Sequence, residues 1–301
     1  MTCICTYCKR FFCDDCIREH RKEFPDHVFV LRENITRGLE YQGEILIDFS
    51  EEFDLSKFDV CHVMDMKSVK GMVVIIMYMN RNCFLRVYSA LKGTQKELQN
   101  QMRIELDQKK SQMTIIDENT VAITVPCKSH IQIVNFKTDM ITTINDMTMM
   151  TGAIAFIDKN LYVASIRHIR TMNLQGEILA NIGLPDIQML HPLGHTKLYC
   201  VSSNPQKHIS YIDMTNKEEH HLLEFPFHLK CLTSDELSDI YFISNRTLWK
   251  AKHDGEDSIV VLSNLGSNSI SFRPETICFD ISKKLLLVQT SCTEIKIYRK
   301  N

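Results

Sequence analysis

The chain has 301 residues, of which 44% are hydrophobic and 24% charged, and its formal net charge is −2 at pH 7. This balance excludes a mainly disordered, collagen-like or coiled-coil chain. The net charge argues against a nucleic-acid-binding protein that is basic as a whole, although it allows a local basic patch. The sequence has neither the apolar run of about 18 residues that a membrane helix needs nor a secretory signal at its start. We therefore expect a cytoplasmic chain without membrane contact, whose clustered cysteines bind metal rather than form disulfides.

The first predicted element is a metal-binding segment, because five of the twelve cysteines lie within the first sixteen residues. Two cysteine pairs and two histidines form the pattern, namely Cys5, Cys8, Cys13, Cys16, His20 and His27. A two-residue spacing places both thiolates of a pair on one metal ion, and the Cys/His donor set favours zinc. So short a segment buries too little apolar surface to fold alone, so zinc would supply its folding free energy. The other seven cysteines lie mostly in apolar strand patterns, where we expect buried small hydrophobic residues.

The segment CTYCKRFFCDDCIREHRKEFPDHVFVL resembles the second part of a B-box zinc finger, the module of tripartite-motif proteins. In that family four pairs of ligands hold two zinc ions. The first and third pairs bind one ion, and the second and fourth pairs bind the other. The resemblance implies one complete site, made by Cys5, Cys8, His20 and His27. Cys13 and Cys16 match the third pair, whose partner pair would precede this sequence, and Cys3 could replace one of the missing ligands. We interpret the sequence as beginning inside a B-box, and we expect one tightly bound zinc and a second bound weakly or not at all.

From about residue 58 onward, short apolar strands alternate with polar turns and no helical period is present. Six strongly apolar strands mark the units: VVIIM (73–77), VAITV (121–125), LYVAS (161–165), LYCVS (198–202), IYFIS (240–244) and LLLVQ (285–289). Another strand precedes each of them, a third follows, and the units recur every 37 to 48 residues, which is the period of a propeller blade. A lone blade cannot bury its faces, so the six units predict an all-β fold, a six-bladed β-propeller.

The last unit ends after its third strand, so its fourth strand must come from elsewhere. The strand EILIDF (44–49), just before the first blade, is predicted to fill this place and close the ring. The predicted domains are therefore a partial B-box-type zinc finger at 1–33, a linker with the closing strand at 34–57, and the propeller at 58–301.

The propeller strands are similar to NHL repeats, since the WD dipeptide and the double glycine of kelch repeats are absent. A B-box followed by an NHL-like propeller is a tripartite-motif arrangement, so nearly the whole chain resembles that family, without its RING finger and coiled coil. In that family the RING finger carries ubiquitin-ligase activity, and we find no catalytic motif in this sequence. The resemblance therefore implies a non-catalytic module, and without a coiled coil we expect a monomer.

The loops between the strongly apolar strand of each unit and the strand that follows it should lie on one face of the ring. Five of these six loops carry a basic residue and no acidic one: Arg81, Lys128, Arg167, Lys207 and Arg246. Such a ring of cations suits phosphate or an acidic peptide. It could equally be the ordinary polar surface of hairpin loops.

Three functions follow from these patterns. The first is a zinc-binding protein-interaction scaffold of the tripartite-motif type, with partner proteins bound by the propeller face and the B-box. The second is a fragment or variant of a RING-type ubiquitin ligase. The third is an RNA-binding post-transcriptional regulator that uses the basic face. The loops of this face contain no aromatic residues on which bases could stack, which argues against this third function.

Overall fold

The computed structural model describes two parts of the chain in different detail. Backbone and side chains are described for residues 63–78, 83–88, 111–145, 147, 149–202, 208–224, 229–244, 246–255, 258–262, 265, 276–290 and 294–300. Only the backbone is described for the strand residues 2–5, 11–13, 29–31, 47–54, 62, 79, 82, 89 and 97–104.

Six four-stranded antiparallel sheets make up the propeller, and we number these blades in chain order. Blade 1 consists of β5 (His62–Val69), β6 (Met72–Met79), β7 (Asn82–Ser89) and β8 (Glu97–Ile104). Blade 2 consists of β9 (Met113–Asp117), β10 (Thr120–Val125), β11 (His130–Asn135) and β12 (Met140–Ile144). Blade 3 consists of β13 (Met150–Ile157), β14 (Asn160–Ser165), β15 (Ile169–Met172) and β16 (Ile178–Ile182).

The second half of the ring repeats this plan. Blade 4 consists of β17 (Ile187–Leu193), β18 (Lys197–Ser202), β19 (His208–Asp213) and β20 (Glu219–Glu224). Blade 5 consists of β21 (Leu229–Ser234), β22 (Ile240–Ser244), β23 (Thr247–Ala251) and β24 (Ile259–Leu262). Blade 6 consists of β25 (Ile277–Asp280), β26 (Leu285–Gln289), β27 (Glu294–Lys300) and the early strand β4 (Ile47–Asp54).

The ring is closed at both its inner and outer edges. The first strand of each blade contacts the first strand of the next, and β25 contacts β5, so six first strands surround a central axis. At the periphery β4 pairs antiparallel with β27, from Glu294↔Asp54 to Lys300↔Ile47. The predicted closure by a strand from the N-terminal side is confirmed, with the strand several residues further along than expected. Because this strand comes from the other end of the propeller, its pairing joins the two ends of the ring.

The core lies between the blades. Six apolar clusters fill the six interfaces between neighbouring blades, and each draws its buried side chains from two of them. In β6, for example, Val73 and Ile75 pack toward blade 6, whereas Val74 and Ile76 pack toward blade 2. Alternate residues of a strand point to opposite faces, and both faces of a blade are covered. This explains why the second strands are continuous apolar runs rather than alternating ones.

The outer strands are what the sequence patterns largely missed. Four of the five residues of β12 are exposed, as are four of the five residues of β16. Strands without a buried face lack a periodic apolar signal, so the sequence patterns did not show these two strands.

Four of the five scattered cysteines that the structure describes follow the prediction of burial, while Cys61 and Cys292 lie outside the described residues. Cys83, Cys200, Cys231 and Cys278 are buried, whereas Cys127 is exposed in the loop after β10. Burial raises the pKa of the Cys200 and Cys278 thiols well above the ordinary value, so both remain neutral. Cys127 corrects the prediction, because it lies in a turn that begins at Pro126, outside any strand.

A separate three-stranded sheet lies at the start of the chain and has the order β2 (Phe11–Cys13), β1 (Thr2–Cys5), β3 (Phe29–Leu31). The described residues include no helix that is long and apolar enough to cross a bilayer.

Candidate partner-binding face and axial cavity

The upper face, as we name it, carries the loops between the second and third strands of the blades. Backbone hydrogen bonds tie these loops to the segments that connect one blade to the next. The Met147 N–H donates to Ser129 O at 2.8 Å, and the Ile166 N–H donates to Met149 O at 3.2 Å. The first strand of each blade therefore begins at the upper face and runs away from it.

Three of the five predicted basic residues lie in the described part of this face. Lys128 is exposed at the end of a short 3-10 turn in blade 2, Arg167 is exposed in blade 3, and Arg246 is partly exposed in blade 5. Arg81 and Lys207 lie outside the described residues. The structure thus places Lys128 and Arg167 on neighbouring blades, while Arg246 is two blades away from Arg167. A continuous basic ring stays a prediction.

The sequence patterns missed two exposed apolar side chains beside these cations. Met149, at the entry to blade 3, is 67% exposed, and Ile166, next to Arg167, is 49% exposed. The turn that carries Lys128 contacts β13, which starts directly after Met149. We call Lys128, Met149, Ile166 and Arg167 the upper patch. An isoleucine inside a loop of otherwise polar residues was the available signal for it.

The loop that carries Ile166 and Arg167 is held at both ends. Ser165 donates to His168 O through its backbone N–H at 2.8 Å and through its hydroxyl at 2.7 Å. The Arg170 Nε–H donates to His168 Nε2 at 3.1 Å. On the other side, the Asp186 N–H donates to Ile166 O at 3.1 Å. These bonds fix the loop before any partner arrives, which lowers the entropic cost of binding.

A polar cavity lies on the axis of the ring. It has a volume of about 50 Å³, and its lining includes Asp65, Lys67, Gln112, Lys230 and Thr276. The ammonium of Lys67 is 3.6 Å from the Asp65 carboxylate. Asp65 also accepts the backbone N–H groups of Met66 and Met113, each at 2.7 Å, so this buried carboxylate is well compensated.

Further along the axis, His191 of blade 4 lies opposite blade 1, which carries Lys67. Its Nε2 is 2.8 Å from Ser234 Oγ. Burial, and then the charge of Lys67, lower the pKa of His191 to about 3. The His191 imidazole is therefore neutral at pH 7.

All six predicted zinc ligands lie outside the part of the chain whose side chains the structure describes. Cys5 ends β1 and Cys13 ends β2, two strands that pair antiparallel with Thr2 opposite Cys13, whereas Cys8, Cys16, His20 and His27 lie outside the described residues. In the part with described side chains, no three His, Cys, Asp or Glu residues converge as metal ligands. The two histidines of β20 likewise form no such cluster there, and the ring of His220 stacks on the ring of Tyr211 with 4.7 Å between the centroids.

Comparisons with known proteins identify the fold. The chain is similar to a structural genomics protein of unknown function from Bacteroides thetaiotaomicron, with 14% identity over 86% of this chain and 74% of that chain and a TM-score of 0.62. It is similar to the WD40 repeats of RRP9, with 10% identity over 85% of this chain and 100% of that chain and a TM-score of 0.61. It is also similar to streptogramin B lyase, with 13% identity over 86% of this chain and 100% of that chain and a TM-score of 0.57.

At these identities the likeness concerns the fold alone. No protein-family model matches the sequence, and no curated protein does. The chain is therefore an all-β six-bladed propeller with WD40-like structural neighbours.

Proposed function

We propose that this chain is a non-catalytic, zinc-binding protein-interaction scaffold of the tripartite-motif type, which binds a partner protein through the upper patch. The observation that carries the proposal is the pair of exposed apolar side chains, Met149 and Ile166, beside Arg167 on a preorganised loop.

The composition of the upper patch favours a protein partner. Methionine and arginine are enriched in protein interfaces, where an apolar centre is surrounded by charged groups. Burial of Met149 and Ile166, which are 67% and 49% exposed, would contribute roughly 1–2 kcal/mol each to binding. In the part of the chain that the structure describes, no hydrogen bond or ion pair involves the Arg167 guanidinium, which leaves it available for a partner carboxylate. The aliphatic patch offers no platform for stacked bases, so RNA is the less favoured ligand.

Proximity labelling in cells tests the partner surface. The full chain is compared with a patch variant (Met149→Ser, Ile166→Ser, Arg167→Ala) and with a control variant of the opposite face (Leu237→Ser, Ile281→Ser), whose two side chains are 66% and 60% exposed. We expect a set of proteins that both the unchanged chain and the control label but the patch variant does not. Identical labelling by all three would refute the proposed surface.

The zinc-binding part rests on the spacing of Cys5, Cys8, His20 and His27. Cys5 ends β1, which pairs antiparallel with β2, and a donor set of two cysteines and two histidines suits a tetrahedral zinc site. Zinc, when bound, would hold this segment together and take no part in a reaction.

Metal analysis of the purified chain tests the zinc site. We expect one tightly held zinc, lost in a Cys5→Ser or His20→Ala variant and retained in Cys127→Ser, the control at an exposed cysteine of the propeller. Two tightly held ions would refute the single complete site, and no zinc in the unchanged chain would refute the zinc-binding function.

A further inference from the structure

The outer strand of blade 2 has a regular edge. β12 is the last strand of its sheet, and no other strand in the described part of the chain pairs with its outer side. Its pairing with β11 runs without interruption from Ile131↔Ile144 to Asn135↔Met140. Along such an edge, alternate residues direct their backbone N–H and C=O groups outward, where these groups can pair with another strand.

The other five outer strands carry features that hinder such pairing. In each of them the register with the neighbouring strand shifts, which interrupts the regular edge. β4, β8 and β20 also contain charged residues. Bulges and charges are two means by which proteins block an exposed edge. β12 has neither, since its sequence MITTI contains no charged residue and no proline.

The side chains of β12 are exposed along most of its length. Met140 and Ile141 are 66% and 44% exposed, and the two threonines that follow are exposed as well. Ile144 is buried in the apolar cluster between blades 2 and 3. The strand is therefore anchored at its end, while the residues before that end stay accessible.

The exposed apolar surface continues onto blade 3. The turn before β16 packs against the end of β12, because a Cβ added at Gly176 would lie 2.6 Å from Ile144 Cγ2. Two residues further on, Ile178 and Leu179 are each 55% exposed. A molecule that pairs with β12 can therefore bury apolar side chains of two neighbouring blades.

The sequence of β12 is complementary to itself in an antiparallel pairing. A two-fold axis at Thr142 places this residue opposite its own copy. The flanking pairs are then Ile141 with Thr143 and Met140 with Ile144. This register pairs odd-numbered residues with odd-numbered ones, so outward-facing backbone groups of the two copies meet. Threonine pairs stabilise neighbouring strands, no charges oppose each other within the strand, and a formal net charge of −2 per chain adds little repulsion.

We propose that the edge of β12 binds β12 of a second copy and so joins two propellers into a symmetric dimer. The four-stranded sheets of blade 2 then continue into each other across the two-fold axis, and two-fold dimers are the commonest oligomers. The strand contributes five residues, few compared with the roughly 20–30 residues a side of a standard interface. The dimer therefore dissociates on dilution, with a dissociation constant in the micromolar range.

This surface shares no residue with the upper patch, so the inference goes beyond the proposed function. It also replaces the monomer that we expected from the sequence.

Sedimentation equilibrium of the full chain tests the dimer. A reductant is present, because exposed thiols such as that of Cys127 could otherwise link two copies. We expect a reversible equilibrium between monomer and dimer as the concentration rises from the nanomolar to the high micromolar range. A monomer at every concentration in this range would overturn the proposal.

Two variants of opposite charge locate the interface. Thr142→Lys and Thr142→Glu should each weaken dimerisation about tenfold or more, because like charges opposite each other repel. An equimolar mixture of the two should dimerise again, since each charge then meets its opposite. The control His221→Lys adds a charge to β20, at a side chain that is 51% exposed, and should dimerise as the unchanged chain does.

Three results would show that the edge of β12 is not the interface. They are unchanged dimerisation of the Thr142 variants, a mixture that stays monomeric, and an equal loss in His221→Lys. If circular dichroism shows that one Thr142 variant fails to fold, the other decides the question together with the control.

Discussion

His191 should make the stability of the propeller depend on pH in a way that one substitution removes. Burial and then the charge of Lys67 lower the pKa of this histidine to about 3, whereas the unfolded chain titrates it near 6.5. Between these two values the unfolded chain binds a proton that the folded chain does not. The stabilising contribution of the neutral ring is therefore complete above about pH 6.5 and is lost as the pH falls toward 3.

The size of the effect follows from the pKa difference. Each pH unit below the pKa of the unfolded chain lowers the free energy of unfolding by about 1.4 kcal/mol, as long as the folded chain stays unprotonated. About pH 5 lies roughly 1.5 units below that value and well above the folded pKa, so the contribution of His191 should fall by about 2 kcal/mol. This figure changes little if the folded pKa is a unit higher or lower, because almost no folded molecules are protonated there.

Urea unfolding, followed by the fluorescence of Trp249, measures the difference. At about pH 7.5 a His191→Gln variant should lose about 1 kcal/mol, the worth of the hydrogen bond to Ser234. Toward pH 5 the unchanged chain should lose about 2 kcal/mol more than the variant. The control is His195→Gln, whose side chain is 85% exposed and which should follow the unchanged chain. Parallel pH dependence in the unchanged chain and His191→Gln would refute the reasoning.

Three further predictions concern the stability of the ring. The Lys300 ammonium lies 2.8 Å from the Asp235 carboxylate, and the two side chains are only 9% and 0% exposed. Lys300→Met should therefore lower the free energy of unfolding in urea by about 3 kcal/mol, because it leaves a buried carboxylate without this partner. The control Lys296→Met, at a side chain that is 35% exposed, should lower it by less than about 1 kcal/mol. Equal losses would contradict the role of burial. Gly255 has φ +87° and an added Cβ would lie 2.8 Å from Leu222 O, so Gly255→Ala should lower the free energy of unfolding by about 1–3 kcal/mol; a neutral result in thermal unfolding would contradict this. A truncation that removes β4 and everything before it should abolish cooperative unfolding or cause aggregation, because it leaves the edge of β27 unpaired. A truncation that removes only the residues before β4 should do neither. Equal behaviour of the two truncated chains in light scattering would contradict ring closure by β4.

Local sequence patterns are enough to predict the architecture of the propeller. The second strands, such as VVIIM at 73–77, are apolar on both faces, and this signal recurs at blade spacing because each blade is covered on both sides. The closing strand was predicted from the missing fourth strand of the last unit and is found as β4. Both inferences rest on the local periodicity of apolar residues and on the need to cover the faces and edges of each blade. Both signals can be recognised by following the sequence from one end to the other.

Which side chains meet depends on the closed ring and does not follow from the sequence patterns. Lys67 and His191 are more than a hundred positions apart in the chain, and they influence each other because the ring places blades 1 and 4 on opposite sides of one channel. Met149 and Ile166 form an exposed patch because a connection between blades lies beside a hairpin loop. Such neighbours arise from ring closure and from bulges that re-aim single residues, and neither leaves a periodic trace in the sequence.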